Sequence, residues 1–227
     1  STGYYHSFSI PTSFDKNIRL LNSWQAALDY DLMTTEDLHL HLAAYLKRES
    51  GLYDQLQDVV EDRRWIYGLE MLLEQPFTEY LSASVSATWL RQQVQGNGAT
   101  WPGEQDQLLL VKALVQYRQA DLFDIGLNYI AHNGLWTTQL MPPGEPGAIP
   151  TFPAAPNNVR LQPYGSLNLS ISRYFPWGDQ SLVVFVNANN LLDQGNEADV
   201  RYDSHFNTVG REYFQRRSFY GGVVLRL

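Results

Sequence analysis

Along most of this chain apolar and polar residues alternate with a period of two, and few folds accommodate that pattern repeated so often. In SWQAALDYDL, Trp24, Ala26, Leu28, Tyr30 and Leu32 share one side of an extended chain, opposite Ser23, Gln25, Ala27, Asp29 and Asp31. LHLHLAAYLK sets Leu38, Leu40, Leu42, Ala44 and Leu46 against His39, His41, Ala43, Tyr45 and Lys47. The separation is cleanest in LSASVSATW, with Leu81, Ala83, Val85, Ala87 and Trp89 against Ser82, Ser84, Ser86 and Thr88. IYGLEMLL, LLLVKALVQY, LFDIGLNYIA, YGSLNLSISRYF, SLVVFVNANN and the terminal SFYGGVVLRL continue the pattern, and GYYHSFSI is a weaker instance. A helical period explains none of these as well. The expectation is an all-β, antiparallel fold of about ten strands, each about ten residues long, the length a tilted membrane strand needs.

The connections alternate in length. Short turns fall at 34–37, 74–79, 119–121 and 177–180, and long connections around 49–63, 91–106, 133–163 and 194–215. Strands joined by such short turns are antiparallel neighbours. Short connections on one side and long ones on the other match a transmembrane β-barrel with periplasmic turns and extracellular loops.

Alternation by itself also fits a soluble β-sandwich, with its apolar faces turned inward. Two features favour the barrel. The polar sides of the segments carry Ser, Thr, Asn, Gln, Gly and Asp, which suits a wet lumen. Aromatic residues gather near segment ends, at Trp24, Tyr45, Trp65, Tyr80, Trp89, Tyr117, Tyr129, Tyr164, Tyr174, Phe175 and Trp177, where a membrane–water boundary would hold them. In that reading Leu40, Val85 and Leu169 face hydrocarbon. A net charge of -8 argues against nucleic acid as a partner. The absence of cysteine excludes disulfides and thiolate metal sites. No apolar run approaches the ~18 residues of a membrane helix. STGYYHSFSI has neither the basic start nor the apolar core of a signal peptide, so the expectation is an exposed mature N-terminus or a piece of a longer chain.

LVVFVNANNLLDQ, a long connection and then RRSFYGGVVLRL resemble the C-terminal end of TonB-dependent outer-membrane transporters, most closely those of the Bacteroidetes type. Asn187, Asn190, Leu191, Leu192 and Asp193 fit the family's N-x-x-N-L-F/L-D element, and Arg217, Phe219 and Leu227 its closing strand. Gly68 and Glu70 in RRWIYGLEMLLEQP match an interior G-x-E strand. Tyr220, Gly222, Leu225 and Leu227 also resemble the assembly signal of outer-membrane barrels, which usually ends in Phe where this chain has Leu227. The resemblance implies a barrel of about 22 strands around a plug. Residues 1–227 would then be a single C-terminal wall segment, with the plug and the N-terminal strands supplied elsewhere. Its implied partners are the rest of the barrel and plug, the TonB complex through that plug, outer-membrane lipids, and a scarce ligand such as an iron chelate, cobalamin, an oligosaccharide or a peptide. The alternative is a free-standing ten-stranded outer-membrane pore, adhesin or protease.

Candidate chemistry is sparse, and no catalytic residue, metal or cofactor is expected. His39 and His41 share the polar side near Asp29 and Asp31, a set that could bind a metal or build a hydrolytic site but sits beside a short turn. Lumen hydrogen bonding accounts for them better. Arg63, Arg64 and Glu70 suit a cross-strand ion-pair network. The segment 141–158 holds six prolines, which stiffen it either as a flap over a ligand or a partner surface lipoprotein, or against proteolysis. Aromatic and basic residues on the long connections are the expected ligand contacts: Tyr53, Trp101, Trp136, Phe152, Arg160, Tyr202, His205 and Phe206.

Overall fold

The computed structural model describes residues 2–8, 20–33, 38–54, 59–119, 122–141, 151, 153, 155–178, 180–203 and 207–226. All regular structure among them is β. The first strands are β1 (Thr2–Phe8), β2 (Leu20–Met33), β3 (His39–Ser50), β4 (Leu52–Asp54), β5 (Val59–Glu61) and β6 (Arg63–Pro76). There follow β7 (Leu81–Gly96), β8 (Ala99–Pro102), β9 (Leu110–Gln119), β10 (Phe123–His132), β11 (Trp136–Thr137) and β12 (Val159–Arg160). The last are β13 (Tyr164–Trp177), β14 (Gln180–Asn189), β15 (Glu197–Tyr202), β16 (Thr208–Tyr213) and β17 (Ser218–Arg226).

Ten of them lie side by side in one sheet, in the order β1-β2-β3-β6-β7-β9-β10-β13-β14-β17. Every neighbouring pair is antiparallel. These are the strands that the alternation predicts. The sheet is open: β1 pairs with β2 and β17 with β14, and among the described residues the two outer edges do not meet.

The register aligns the sides of the strands into two contrasting faces. Leu32, Leu40, Leu73, Val85, Ala113, Tyr129 and Leu167 stand opposite one another in a single row. One residue along, the row reads Asp31, His41, Leu72, Ser86, Lys112, Ile130 and Ser166. Another polar-side row reads Ser82, Gln116, Gly126, Ser170, Asn187 and Tyr220. One face is therefore continuously apolar, and the other mostly hydroxyl, amide and charge, interrupted by apolar residues that include Ile66, Leu72, Leu114, Ile130, Val183, Phe185 and Val224. Because the side-chain period is two, a slip of one residue at any pair would break both rows.

Little covers either face. Among the described residues the strands touch their ladder neighbours and almost nothing else, and no second sheet packs across the ten. Leu28 is 73% exposed and Val223 64%, while Leu40, Val85 and Leu169 are half-buried by their own neighbours in the sheet. The chain exposes 14980 Å². A compact monomer of 26.0 kDa would expose about 10,500 Å². The buried apolar residues lie chiefly among the long connections instead, where Val94 and Trp101 pack with Ala99 and Ala155.

These long connections carry more strand than the sequence suggests. β7 runs on through the predicted loop at 91–106 and turns back as β8 through Asn97 and Gly98, whose φ angles are 50° and 75°. Two successive left-handed residues make the two-residue hairpin that Asn-Gly favours. β4 with β5, β11 with β12, and β15 with β16 form three further ribbons. Within the sheet, aromatic side chains cross glycines. A Cβ at Gly68 would lie 2.6 Å from the Tyr45 hydroxyl, and one at Gly222 would lie 2.8 Å from the Phe185 ring. Each ring faces its glycine directly across the ladder, which explains physically why Gly68 and Gly222 are bare.

Candidate functional site

The long connections interlock at one end of the sheet. Asp106, 2% exposed, ties two of them together: its Oδ1 accepts the Gln92 N–H at 2.7 Å and lies 3.1 Å from Arg91 Nε, and its Oδ2 accepts Trp136 Nε1–H at 3.2 Å. A buried carboxylate left without such hydrogen-bond partners would carry the full cost of its lost hydration. Arg160 stacks over the Trp136 ring at 5.3 Å and donates from Nε to the Gly134 carbonyl. A Cβ at Gly134 would collide with the Leu161 carbonyl, so only glycine allows that approach. The Tyr202 hydroxyl accepts the Leu140 N–H and donates to the Thr138 carbonyl, both at 3.2 Å. Thr137 Oγ1 donates to Asp199 Oδ1 at 2.7 Å.

Of the expected ligand contacts, the structure thus brings Trp101, Trp136, Arg160 and Tyr202 into this interlocked end. Trp101, Trp136 and Tyr202 hold one connection to another, Arg160 braces the two arms of its own connection, and Trp101 is 4% exposed. Tyr53 lies on β4, in a separate ribbon, and its side chain is outside the described residues, as are Phe152, His205 and Phe206. Tyr220, Gly222 and Leu225 lie on β17, and Leu227 falls outside the described residues.

The turn after β14 is built by the Asn190–Asp193 element. Asn190 adopts a left-handed φ of 48°, its side-chain amide donates to the Gln194 carbonyl at 2.9 Å, and its Oδ1 accepts the Gln194 N–H at 3.0 Å. Its own N–H reaches Asn168 Oδ1 on β13 at 3.0 Å. Asp193 then grips the residues that open β17. Its two carboxylate oxygens accept Arg216 Nε–H and Nη2–H, both at 3.0 Å, and Oδ1 also accepts the Arg217 N–H at 3.0 Å. Arg216, followed by the Arg217 N–H, holds the Asp193 carboxyl well below the usual carboxylate range.

Beside this turn the polar face has a cleft of about 510 Å³, bounded by β10, β13, the end of β14 and residues 214–216. His132 and Tyr164 are register partners, and their rings stack parallel with centroids 4.8 Å apart. Phe214 meets Tyr164 edge-on at 5.9 Å. Asn168, Asn189 and Asn190 bring amides to the floor. Rings and neutral amides around a half-open cleft suit binding rather than bond-making. In the sequence Tyr164 reads only as a girdle aromatic, and nothing in their spacing links it to His132 or Phe214. Ladder register across a long connection joins His132 to Tyr164, and the Phe214 N–H bond to the Asn196 carbonyl sets the third ring beside them.

The histidines lie at the opposite, short-turn end. His41 Nδ1 is 2.7 Å from Asp31 Oδ1, and His39 lies between Asp31 Oδ1 at 3.4 Å and Glu74 Oε2 at 3.3 Å. Asp29 stands opposite Ala43 instead. Among the described residues no group of three or more His, Asp or Glu side chains is arranged to hold a metal ion. Arg64 lies 3.8 Å from Glu49, which also pairs with Lys47, while Glu70 stands between Ala43 and Thr88. No protein-family model matches this chain, and no curated protein matches it either.

Proposed function

We propose that the ten strands are one arc of the wall of an outer-membrane transporter barrel, with the apolar face against lipid and the polar face toward a wet lumen. One observation carries this reading: the apolar face holds an uncharged band that crosses the sheet from β2 to β17. From Leu81 to Trp89 the band covers about 26 Å of strand at roughly 3.3 Å per residue, close to the ~25 Å apolar belt of such barrels before tilt is allowed for. The arginines of this face stand at its ends. Arg48 lies over Trp65 and Arg173 lies against Phe123 and Phe175, the aromatic-and-cation arrangement of a membrane boundary. The lack of a covering layer supports the same reading, since a sandwich of this size would bury one face.

The open edges support a larger barrel completed by further strands. Wall, lumen surface and long loops would come from this chain. A plug and the TonB-contacting segment would come from elsewhere in the assembly, and a scarce nutrient ligand would enter from the loop side. A free-standing ten-stranded barrel needs β1 and β17 to pair, and that pairing is not among the described ladders.

The test uses the full chain reconstituted in vesicles containing brominated lipids. Trp24 and Trp89 lie on the apolar face, 40% and 39% exposed, whereas Trp101 is buried in the loops. Single-tryptophan variants retaining Trp24 or Trp89 are expected to be strongly quenched, and one retaining Trp101 is not. A chain that stays in solution without detergent, or equal quenching at all three positions, refutes the proposal.

A further inference from the structure

The cleft beside the β14–β17 turn has features that a wall does not require. Its volume of about 510 Å³ falls within the usual range for a small-molecule site. Phe214 is 46% exposed, on the mostly polar side of the sheet. Its position is fixed, because its N–H donates to the Asn196 carbonyl at 2.9 Å and its ring abuts Tyr164. An aromatic ring held at a wet surface keeps its hydration cost until something apolar covers it.

The polar groups show what kind of ligand fits. His132 Nδ1 lies 2.6 Å from the Asn133 carbonyl, which can only accept, so in the neutral ring Nδ1 carries the proton and Nε2 is the acceptor nitrogen. Arg216 is the one charged residue in the lining, and both of its donor edges toward Asp193 are engaged at 3.0 Å. A carboxylate, phosphate or anionic chelate would have to compete with Asp193 for that guanidinium. The remaining lining offers aromatic surface and neutral amides.

We infer that this cleft binds a neutral, hydroxyl-rich ligand, a saccharide unit whose C–H face covers Phe214 and whose hydroxyls meet the Asn189 and Gln215 amides and His132 Nε2. This rests on the polar face being a lumen wall, and adds the ligand class that wall would admit. The arrangement separates a sugar from an iron chelate or a peptide terminus by charge, since nothing uncompensated waits for an ion.

The chain in detergent micelles is titrated calorimetrically with maltohexaose, cellohexaose, mannohexaose and xylohexaose, and with oligogalacturonate as the charged counterpart. At least one neutral hexasaccharide is expected to bind more tightly than the uronate. Phe214→Ala should weaken that binding about tenfold, and Phe214→Trp should retain it. Binding restricted to the uronate, no binding of any neutral probe, or undiminished binding by Phe214→Ala would overturn the inference. Brominated-lipid quenching of Trp24 and Trp89 in the same variants reports the wall itself. Quenching without saccharide binding removes only the ligand class, whereas loss of quenching in the unmodified chain removes the wall.

Discussion

Asp193 is the residue on which the end of the sheet depends. Its carboxylate accepts three hydrogen bonds from Arg216 and Arg217, so the strand leaving the turn is held by the residue that closes the strand before it. In the unfolded chain the carboxyl titrates near pH 3.9, and in the folded chain it titrates well below that. Stability from this grip is therefore fully present above about pH 4 and is lost as pH falls toward the depressed folded value. Comparing thermal unfolding of the native chain with Asp193→Asn should show an advantage for the native chain at pH 7 that holds to about pH 4 and shrinks below it. A difference independent of pH would mean that the charge is not what matters. The element Asn187–Asp193, met in the sequence as a resemblance, has a local physical meaning: Asn190 shapes a left-handed turn and Asp193 fastens it.

Among the elements, the β7–β8 hairpin shows how loop order is produced. Gly98 has φ 75°, and a methyl group placed there would meet no atom within 4 Å, so the cost of replacing it is conformational alone. Gly98→Val should destabilise the hairpin by about 1–2 kcal/mol, and Gly98→Asn by less, because Asn tolerates the left-handed region. Hydrogen exchange at Gly96 and Ala99 measures both: faster exchange in the valine variant than in the asparagine variant is the expected result. Opening this ribbon would expose Trp101 and Val94 and loosen the Asp106 junction with the neighbouring connection. The loop end thus owes its rigidity to hairpins and one buried carboxylate, not to a large apolar core.

At the scale of the whole molecule the decisive feature is an open ten-stranded sheet with two exposed edges. Unpaired strand edges cannot remain in hydrocarbon, so a membrane arc must be completed by other strands. The absence of native cysteine makes this directly testable. Cysteine pairs scanned across Thr2–Phe8 and Ser218–Arg226 should give no cross-link within one chain in the native membrane, and each edge should instead link to strands of another segment. Intramolecular linkage at a consistent register would establish a closed ten-stranded barrel in place of the transporter wall.

Alternation in the sequence determined the ten strands of the main sheet, their antiparallel order and the assignment of Leu40, Val85 and Leu169 to one face, because side-chain direction in a strand depends only on residue parity. It also separated short turns from long connections. Asn97-Gly98 carries a local hairpin signal inside a segment whose polar composition reads as loop. Only the tertiary structure decided that Trp101, Trp136 and Tyr202 hold connections to one another, that Arg160 braces its own connection, that Asp31 and Glu74 rather than Asp29 flank His39, and that His132, Tyr164 and Phe214 meet around a cleft. Those groupings arise from ladder register between strands and from side-chain contacts between connections far apart in sequence, relations between segments that the periodicity of any single segment does not contain.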